Sequence, residues 1–424
     1  MSLSDDENLM LVGTAPGEQL LGEFYRRFPW PWPPMQWEAV EEPDFERRML
    51  NQSLGDWDNR TVPPQASIWV AGCGTNQALH TALKFPGATV IGSDVSSASL
   101  GLCRRNAEQL GVTNLTLREE SINDASYVGA FDYVICTGVI HHNEDPQFTL
   151  GRLARAMRPN AVLELMVYNR FHRTLSSCFQ KAIRLLSGGT VDFETDLAMA
   201  RRLVEQFPAR NQLADMVQEF KEGSESDFAD LLIHPVEHSY TVESLGRLLA
   251  ACGLEYALPC VTSYGRFCAP SVLWAMRFPD PDLQARYDAL SDATRWQVTN
   301  LLQYDQSPLL WFYLRRTDAE TPRRTEQQIN AEFLRRTFER TQTRRRLFVR
   351  DDAGAYQPSA RLRAHPSAAT DPFARRVLDA LEPGQPMATV FRTLRIPTTL
   401  ASVHEARVKL TTSEFPYLVA AAEA

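Results

Sequence analysis

From Ser67 to Asn169 short β-rich runs alternate with helical ones, and this alternation limits the possible folds more than any other feature of the chain. The strand candidates are SIWVAG, ATVIGSD, NLTLREES, FDYVICTG and AVLELMVYN. Between them ALHTALKF, SASLGLCRRNAEQLG and FTLGRLARAMRP carry apolar residues at helical spacing, with Gly111 and Pro159 as stops. Such an order predicts an α/β fold, a doubly wound and mostly parallel sheet with helices on both faces. Ligands in such sheets sit at the carboxyl ends of the strands.

The full chain has 424 residues, more than one hydrophobic core usually serves, so several structural units are expected. Residues 1–65 read as an extended arm or lid, because FYRRFPWPWPPMQW combines rigid prolines with the apolar surfaces of Trp30, Trp32 and Trp37. Residues 66–280 form the α/β domain, with a helical insertion at 170–233 serving as a substrate lid. After it, HSYTVESLGRLLAACGLEYALP offers a Thr cap, an amphipathic helix ended by Gly253, and a further strand. Residues 281–350 read as an arginine-rich helical segment. Residues 351–424 read as a small helix-turn-helix or winged-helix-like unit that follows a Gly, Pro, Ser and Ala linker.

Charge and cysteines narrow the function classes. A formal net charge of −8 repels a nucleic-acid backbone, so only a local basic patch such as 315–346 could bind one. That run reads first as a solvated helical face. The seven cysteines are scattered, odd in number and never spaced as C-x-x-C, which points to reduced thiols and to no metal site. With no signal-peptide pattern and no long apolar run, the expectation is a soluble cytoplasmic protein that makes no membrane contact.

The turn after the first strand carries the chemistry. A dinucleotide-binding G-x-G-x-x-G would need glycine at 77, where Gln77 stands. A shorter G-x-G-x-G turn needs glycine at 72, 74 and 76. Gly72 and Gly74 are present, and Asn76 is expected to adopt the left-handed conformation in the third place. Asp94 closes the second strand 22 residues past Gly72, where a carboxylate accepts from ribose hydroxyls.

VAGCGTNQAL, VIGSDVSSASL, FDYVICTGVIHHNEDP and LARAMRPNAVLELMVYNR resemble successive motifs of class I S-adenosylmethionine-dependent methyltransferases. They are most similar to the bacterial small-molecule branch with a G-V-[LI]-H-H segment after strand four. The resemblance is strong over 67–170, weaker over 235–280, and does not reach the C-terminal third. It implies a Rossmann-like methyltransferase fold with S-adenosyl-L-methionine as cofactor. By that resemblance Ala71, Gly72, Cys73 and Gly74 line the methionine end, while Asp94 and Val95 hold the ribose and adenine. Ser121 and Ile122 fall at the adenine edge, where the family's usual acid is absent and Asn123 and Asp124 are the substitutes at hand. Thr137 and Gly138 border the transferred methyl group. Gln52 would reach the cofactor carboxylate if the arm folds over the site.

Methyl transfer asks the protein to align donor and acceptor, and for some acceptors to remove a proton. His141, His142 and Tyr168 are the catalytic candidates. His142, Tyr168, Arg170, Arg173, His234 and Tyr240 are the substrate-binding ones, with His172 and His238 nearby, and the arginines or His234 would position a carboxylate acceptor. The acceptor is an O or N atom, or a carboxylate, on a small molecule or a carrier- or peptide-linked intermediate of specialised metabolism. The C-terminal extension would serve homodimer contact or substrate presentation. Two alternatives stand beside this reading: a nucleic-acid or protein methyltransferase docking through the C-terminal unit, and an inactive scaffold.

Overall fold

The computed structural model describes residues 17–28, 34–189, 191–221, 223–260, 274–307, 309–369 and 371–421. Trp30 and Trp32 lie outside the described residues. The chain opens with α1 (Gly17–Arg27), β1 (Gln36–Val40) and α2 (Phe45–Ser53). The expected alternation then follows as β2 (Ser67–Ala71), α3 (Gln77–Lys84), β3 (Thr89–Asp94), α4 (Ser97–Gln109), β4 (Leu115–Glu119), β5 (Phe131–Thr137), α5 (Pro146–Ala156) and β6 (Met157–Tyr168). Ile68, Trp69, Val70 and Ala71 are all buried, a continuous apolar run of the kind a strand covered on both faces requires. Ser96 and Asp145 cap α4 and α5 by accepting from Ser99 and Phe148 amides, and Pro146 supplies the first-turn proline of α5. Pro159 does not stop that helix, which ends at Ala156, and lies inside β6.

The helical insertion comprises α6 (Arg170–Leu186), α7 (Phe193–Glu205), α8 (Gln212–Glu219) and α9 (Glu225–Leu232). Its core is separate from that of the sheet. Phe179, Ile183, Leu197, Val204 and Phe228 pack there with Phe24 and Phe28 from α1. The chain returns through α10 (Val242–Ala251), held by a Thr241–Ser244 capping box, to β7 (Leu254–Pro259).

Downstream the structure corrects the reading of 281–350 as helical. Two helices, α11 (Pro281–Asp288) and α12 (Asp292–Leu302), lead into β8 (Leu309–Arg316), a strand of the central sheet. The sheet order is β4-β3-β2-β5-β6-β8-β7, with β4 to β6 parallel and β8 antiparallel to both of its neighbours. The α/β domain therefore does not end at 280. LLWFYL within β8 is apolar enough to fill a covered strand, a signal that the arginines after it obscured.

The remainder is α13 (Glu326–Arg335), β9 (Phe338–Arg340), β10 (Thr343–Arg350), β11 (Tyr356–Pro358), β12 (Arg363–His365), α14 (Pro372–Ala380), α15 (Met387–Leu394), α16 (Leu400–Thr411) and β13 (Leu418–Ala420). The run 343–346 is a strand, since β10 pairs antiparallel with β1, β11 and β12. The arm is thus partly a sheet edge. The arginines pair with acids: Arg315 with Glu255, Arg324 with Glu332, Arg336 with Asp58, Arg344 with Glu41 and Arg345 with Glu38.

A buried ionic cluster joins α12, α13 and α16. Glu326 is fully buried and meets Arg295 at 3.2 Å, Arg407 at 3.4 Å and the His404 ring, while Asp292 bonds Arg295 and Arg323 at 2.6 Å each. Burial alone would raise the Glu326 carboxyl; His404, Arg407 and Arg295 outweigh it and bring it down to about 2. A depressed carboxyl stabilises the fold above its unfolded value, and that contribution is lost as pH falls toward the folded value. Between about pH 5 and 2 this group should cost the native chain about 3 kcal/mol. Glu326→Gln should lack that part of the acid slope and be about 3–5 kcal/mol less stable at neutral pH, read by urea denaturation at several pH values.

Candidate active site

The crevice where the sheet order reverses lies between the carboxyl ends of β2 and β5. The backbone turns there on Gly72 (φ 68°) and Gly74 (φ 55°). Asn76 does not take the left-handed conformation expected of it: at φ −134° it sits at the N-cap of α3, and the two glycines suffice for the turn. The Gly74 amide donates to Asp94 Oδ2 and the Ser96 amide to Oδ1, both at 2.8 Å. Burial raises the Asp94 carboxyl, and these amides work against it. Ser96 caps α4, so Asp94 is not consumed as a cap, and an ionised carboxylate still has lone pairs for a ribose.

Val95 is partly exposed and, with Ser96, Ser97, Ala98 and Glu119, faces Gln19, Gly22, Glu23 and Arg26 of α1 across a cleft of about 320 Å³. An adenosine has room at that position. Cys73 is buried, with its amide bonded to the Ser93 carbonyl. Ile122 packs into the main core, and Ser121 Oγ accepts from the Asn123 amide. Asn123 Oδ1 in turn accepts from Thr149, which leaves exposed Asp124 as the nearby acid. Thr137 donates to Gln77 Oε1 at 2.8 Å, and Gly138 (φ 80°) turns the chain beside Met166.

Gln52 is not a cofactor ligand. Its amide is fully buried in α2, donating to the Thr411 and Leu418 carbonyls and accepting from the Ala420 amide, so it clamps the C-terminal segment.

Past β5 a 3-10 turn over Ile140–His142 delivers the two histidines to the end of β6. His141 is fully buried, its ring 3.9 Å from that of Tyr168, and among the described residues neither ring nitrogen has a hydrogen-bond partner. His142 donates Nδ1–H to the Val236 carbonyl at 2.9 Å, which leaves Nε2 with a lone pair. Its ring lies 3.7 Å from that of His234, which contacts the Val236 amide and the Tyr25 hydroxyl at 3.3 Å each. Tyr168 donates to Asp230 at 3.3 Å. Burial lowers His141 and His234 well below the usual histidine value, lowers His142 to about 4 and raises Asp230 to about 6. The imidazoles are neutral at pH 7.

Arg173 is not free to hold a carboxylate. Buried beneath Tyr168, it is engaged by both oxygens of Glu237, which Gln180 also contacts. Arg170 turns to the Ser239 carbonyl. Tyr240 pairs through its backbone with Tyr168, and among the described residues its buried hydroxyl has no partner, as is true of His238 Nε2. His172 is exposed on α6, away from this cluster. Sequence reasoning missed Tyr25, Asp230 and Glu237. None of the three carried a local signal in the sequence: Asp230 sits in the last turn of α9 and His234 lies past its end, so helical spacing does not pair them.

Fold and site together define a Rossmann-like methyltransferase architecture. Residues 71–218 match the model of the family described as "Methyltransferase domain". Among curated relatives, an uncharacterised protein of Synechococcus is 30% identical over 56% of this chain and 59% of its own length. A trans-aconitate 2-methyltransferase of Deinococcus radiodurans is 34% identical over 32% of this chain and 47% of its own. A ubiquinone biosynthesis O-methyltransferase of Actinobacillus pleuropneumoniae is 27% identical over 31% and 59%. The chain spans about half to three fifths of the length of these relatives. PKMT2 from Rickettsia typhi in complex with AdoHcy shares the fold at a TM-score of 0.55 and 14% identity, over 92% of this chain and 77% of that one. Among the described residues no helix is long and apolar enough to cross a membrane.

A Cβ at Gly72 would lie 2.4 Å from a Val139 methyl group, whereas one at Gly111, also left-handed, meets nothing within 4 Å. Gly111→Ala should therefore cost only the conformational term, about 1–2 kcal/mol. Gly72→Ala should cost about 2–5 kcal/mol by urea denaturation, because overpacking adds to it.

Proposed function

We propose that this chain is an S-adenosylmethionine-dependent methyltransferase acting on a hydroxyl oxygen of a small molecule, in the cytoplasm. The observation that carries the reading is the Asp94 carboxylate, fixed between the Gly72–Gly74 turn and the start of α4 beside an adenosine-sized cleft. The residues present fit the cofactor: glycine backbone where a side chain would collide, and a carboxylate with lone pairs to spare. When bound, S-adenosylmethionine supplies an electrophilic methyl group and leaves as S-adenosylhomocysteine.

The chain's own residues do the rest. The Gly72–Gly74 backbone makes room for the methionine end, and Asp94 accepts from the ribose hydroxyls. Thr137 and Gly138 place the β5 loop against the reacting centre. His141, whose ring nitrogens have no other partner, accepts the acceptor's proton. Tyr25 and the insertion roof the cluster and keep water out. A hydroxyl fits better than a carboxylate because Arg173, the cation nearest Tyr168, already belongs to Glu237. The pairing of the 315–346 arginines with acids speaks against nucleic-acid docking.

The test is thermal unfolding with and without S-adenosylhomocysteine. At about 100 times its dissociation constant the ligand should add about 2.7 kcal/mol to the native chain and nothing to Asp94→Ala. Circular dichroism of the variant checks that its fold survives the loss of the Gly74 bond. No shift in the native chain would overturn the reading in favour of a scaffold.

A further inference from the structure

The sequence reading expected no metal, because the cysteines have no ligand spacing. The fold nevertheless gathers His142, Asp230 and His234 so that one ligand atom from each lies within 4.8 Å of the other two. The residues come from distant stretches: His142 from the turn after β5, Asp230 from the last turn of α9 and His234 from the segment just past it. We infer that these three side chains form a divalent-cation site of the zinc class, set among the buried side chains beside Tyr168. Two imidazoles and a carboxylate suit zinc and its neighbours, and three protein ligands leave a position open, as in catalytic sites.

The surroundings of His142 and Asp230 are those of ligands, and His234 ligates by releasing one of its two contacts, the Val236 amide at Nδ1 or the Tyr25 hydroxyl at Nε2. His142 gives its Nδ1 proton to a backbone carbonyl, the outer contact that aims Nε2 at a metal. Tyr168 donates to Asp230 and so orients that carboxylate. His141 stands against His142 and Tyr168 with both ring nitrogens unpartnered, a buried polar group facing the same cluster. A cation bound at about 2.1 Å from each ligand needs them about 3.4 Å apart, so side-chain movements of about 1 Å close the site. Resting on the methyl-transfer reading, its role is to bind the acceptor oxygen and favour loss of the hydroxyl proton to His141.

The full chain, dialysed against a chelator and then freed of it, should be titrated with Co²⁺ and followed by visible d–d absorption. One equivalent should bind saturably, with displacement by Zn²⁺. His142→Gln, His234→Gln and Asp230→Ala should each weaken binding by about 100-fold or more, and Cys178→Ser, at an exposed thiol, should bind normally. The S-adenosylhomocysteine thermal shift, measured on the same samples, shows that each variant is folded. Absorption that never saturates, or that persists in the folded His234→Gln and Asp230→Ala proteins, overturns the site. A thermal shift without cobalt binding rejects the metal alone. Cobalt binding without a shift rejects the methyltransferase reading and keeps the cation site.

Discussion

The Asp94 carboxylate ties together three pieces of backbone: the end of β3, the glycine turn after β2 and the start of α4. Partial burial works against its charge, and amide donors offset part of that cost. Because that turn is fixed, Gly72 can lie against Val139, and Val139 leads directly into the 3-10 turn that delivers His141 and His142. The two halves of the crevice are thus set by one short chain of contacts. The half around the glycine turn depends on the carboxylate directly, and the half around His141 and His142 through the packing of two loops.

The C-terminal third is built into this arrangement rather than attached to it. It supplies the strand between β6 and β7, and β10 takes β1 of the arm as its partner. Gln52 fastens α2 to residues 411–420, and Glu326 gathers α12, α13 and α16 around a buried charge. The arginines that colour this region in the sequence serve as partners for acids on neighbouring elements.

How much was legible follows from the range of each signal. Alternating periodicity and the turn at 72–74 are local, and they placed β2 to β6 and Asp94. The Asn76 conformation was misjudged because a motif was matched letter by letter, although two glycines already make the turn. Gln52, Arg173 and the end of the domain were misread for a different reason. Their partners are Leu418, Glu237 and the β6 edge, and no spacing within one stretch shows who will meet whom. Asp230 and Tyr25 reached the site only through the packing of the insertion and α1.

The position of β8 in the sheet has a consequence for how the molecule comes into being. β6 ends at Tyr168 and β7 at Pro259, yet the strand that bonds to both begins only at Leu309. On a ribosome, each of those strands waits with an open row of amides and carbonyls while the insertion and two further helices are translated. Unpaired strand edges invite pairing with other chains. The growing polypeptide is therefore most vulnerable to misassociation in the interval before residue 316 emerges, and the insertion, with a core of its own, is the part able to settle during that wait.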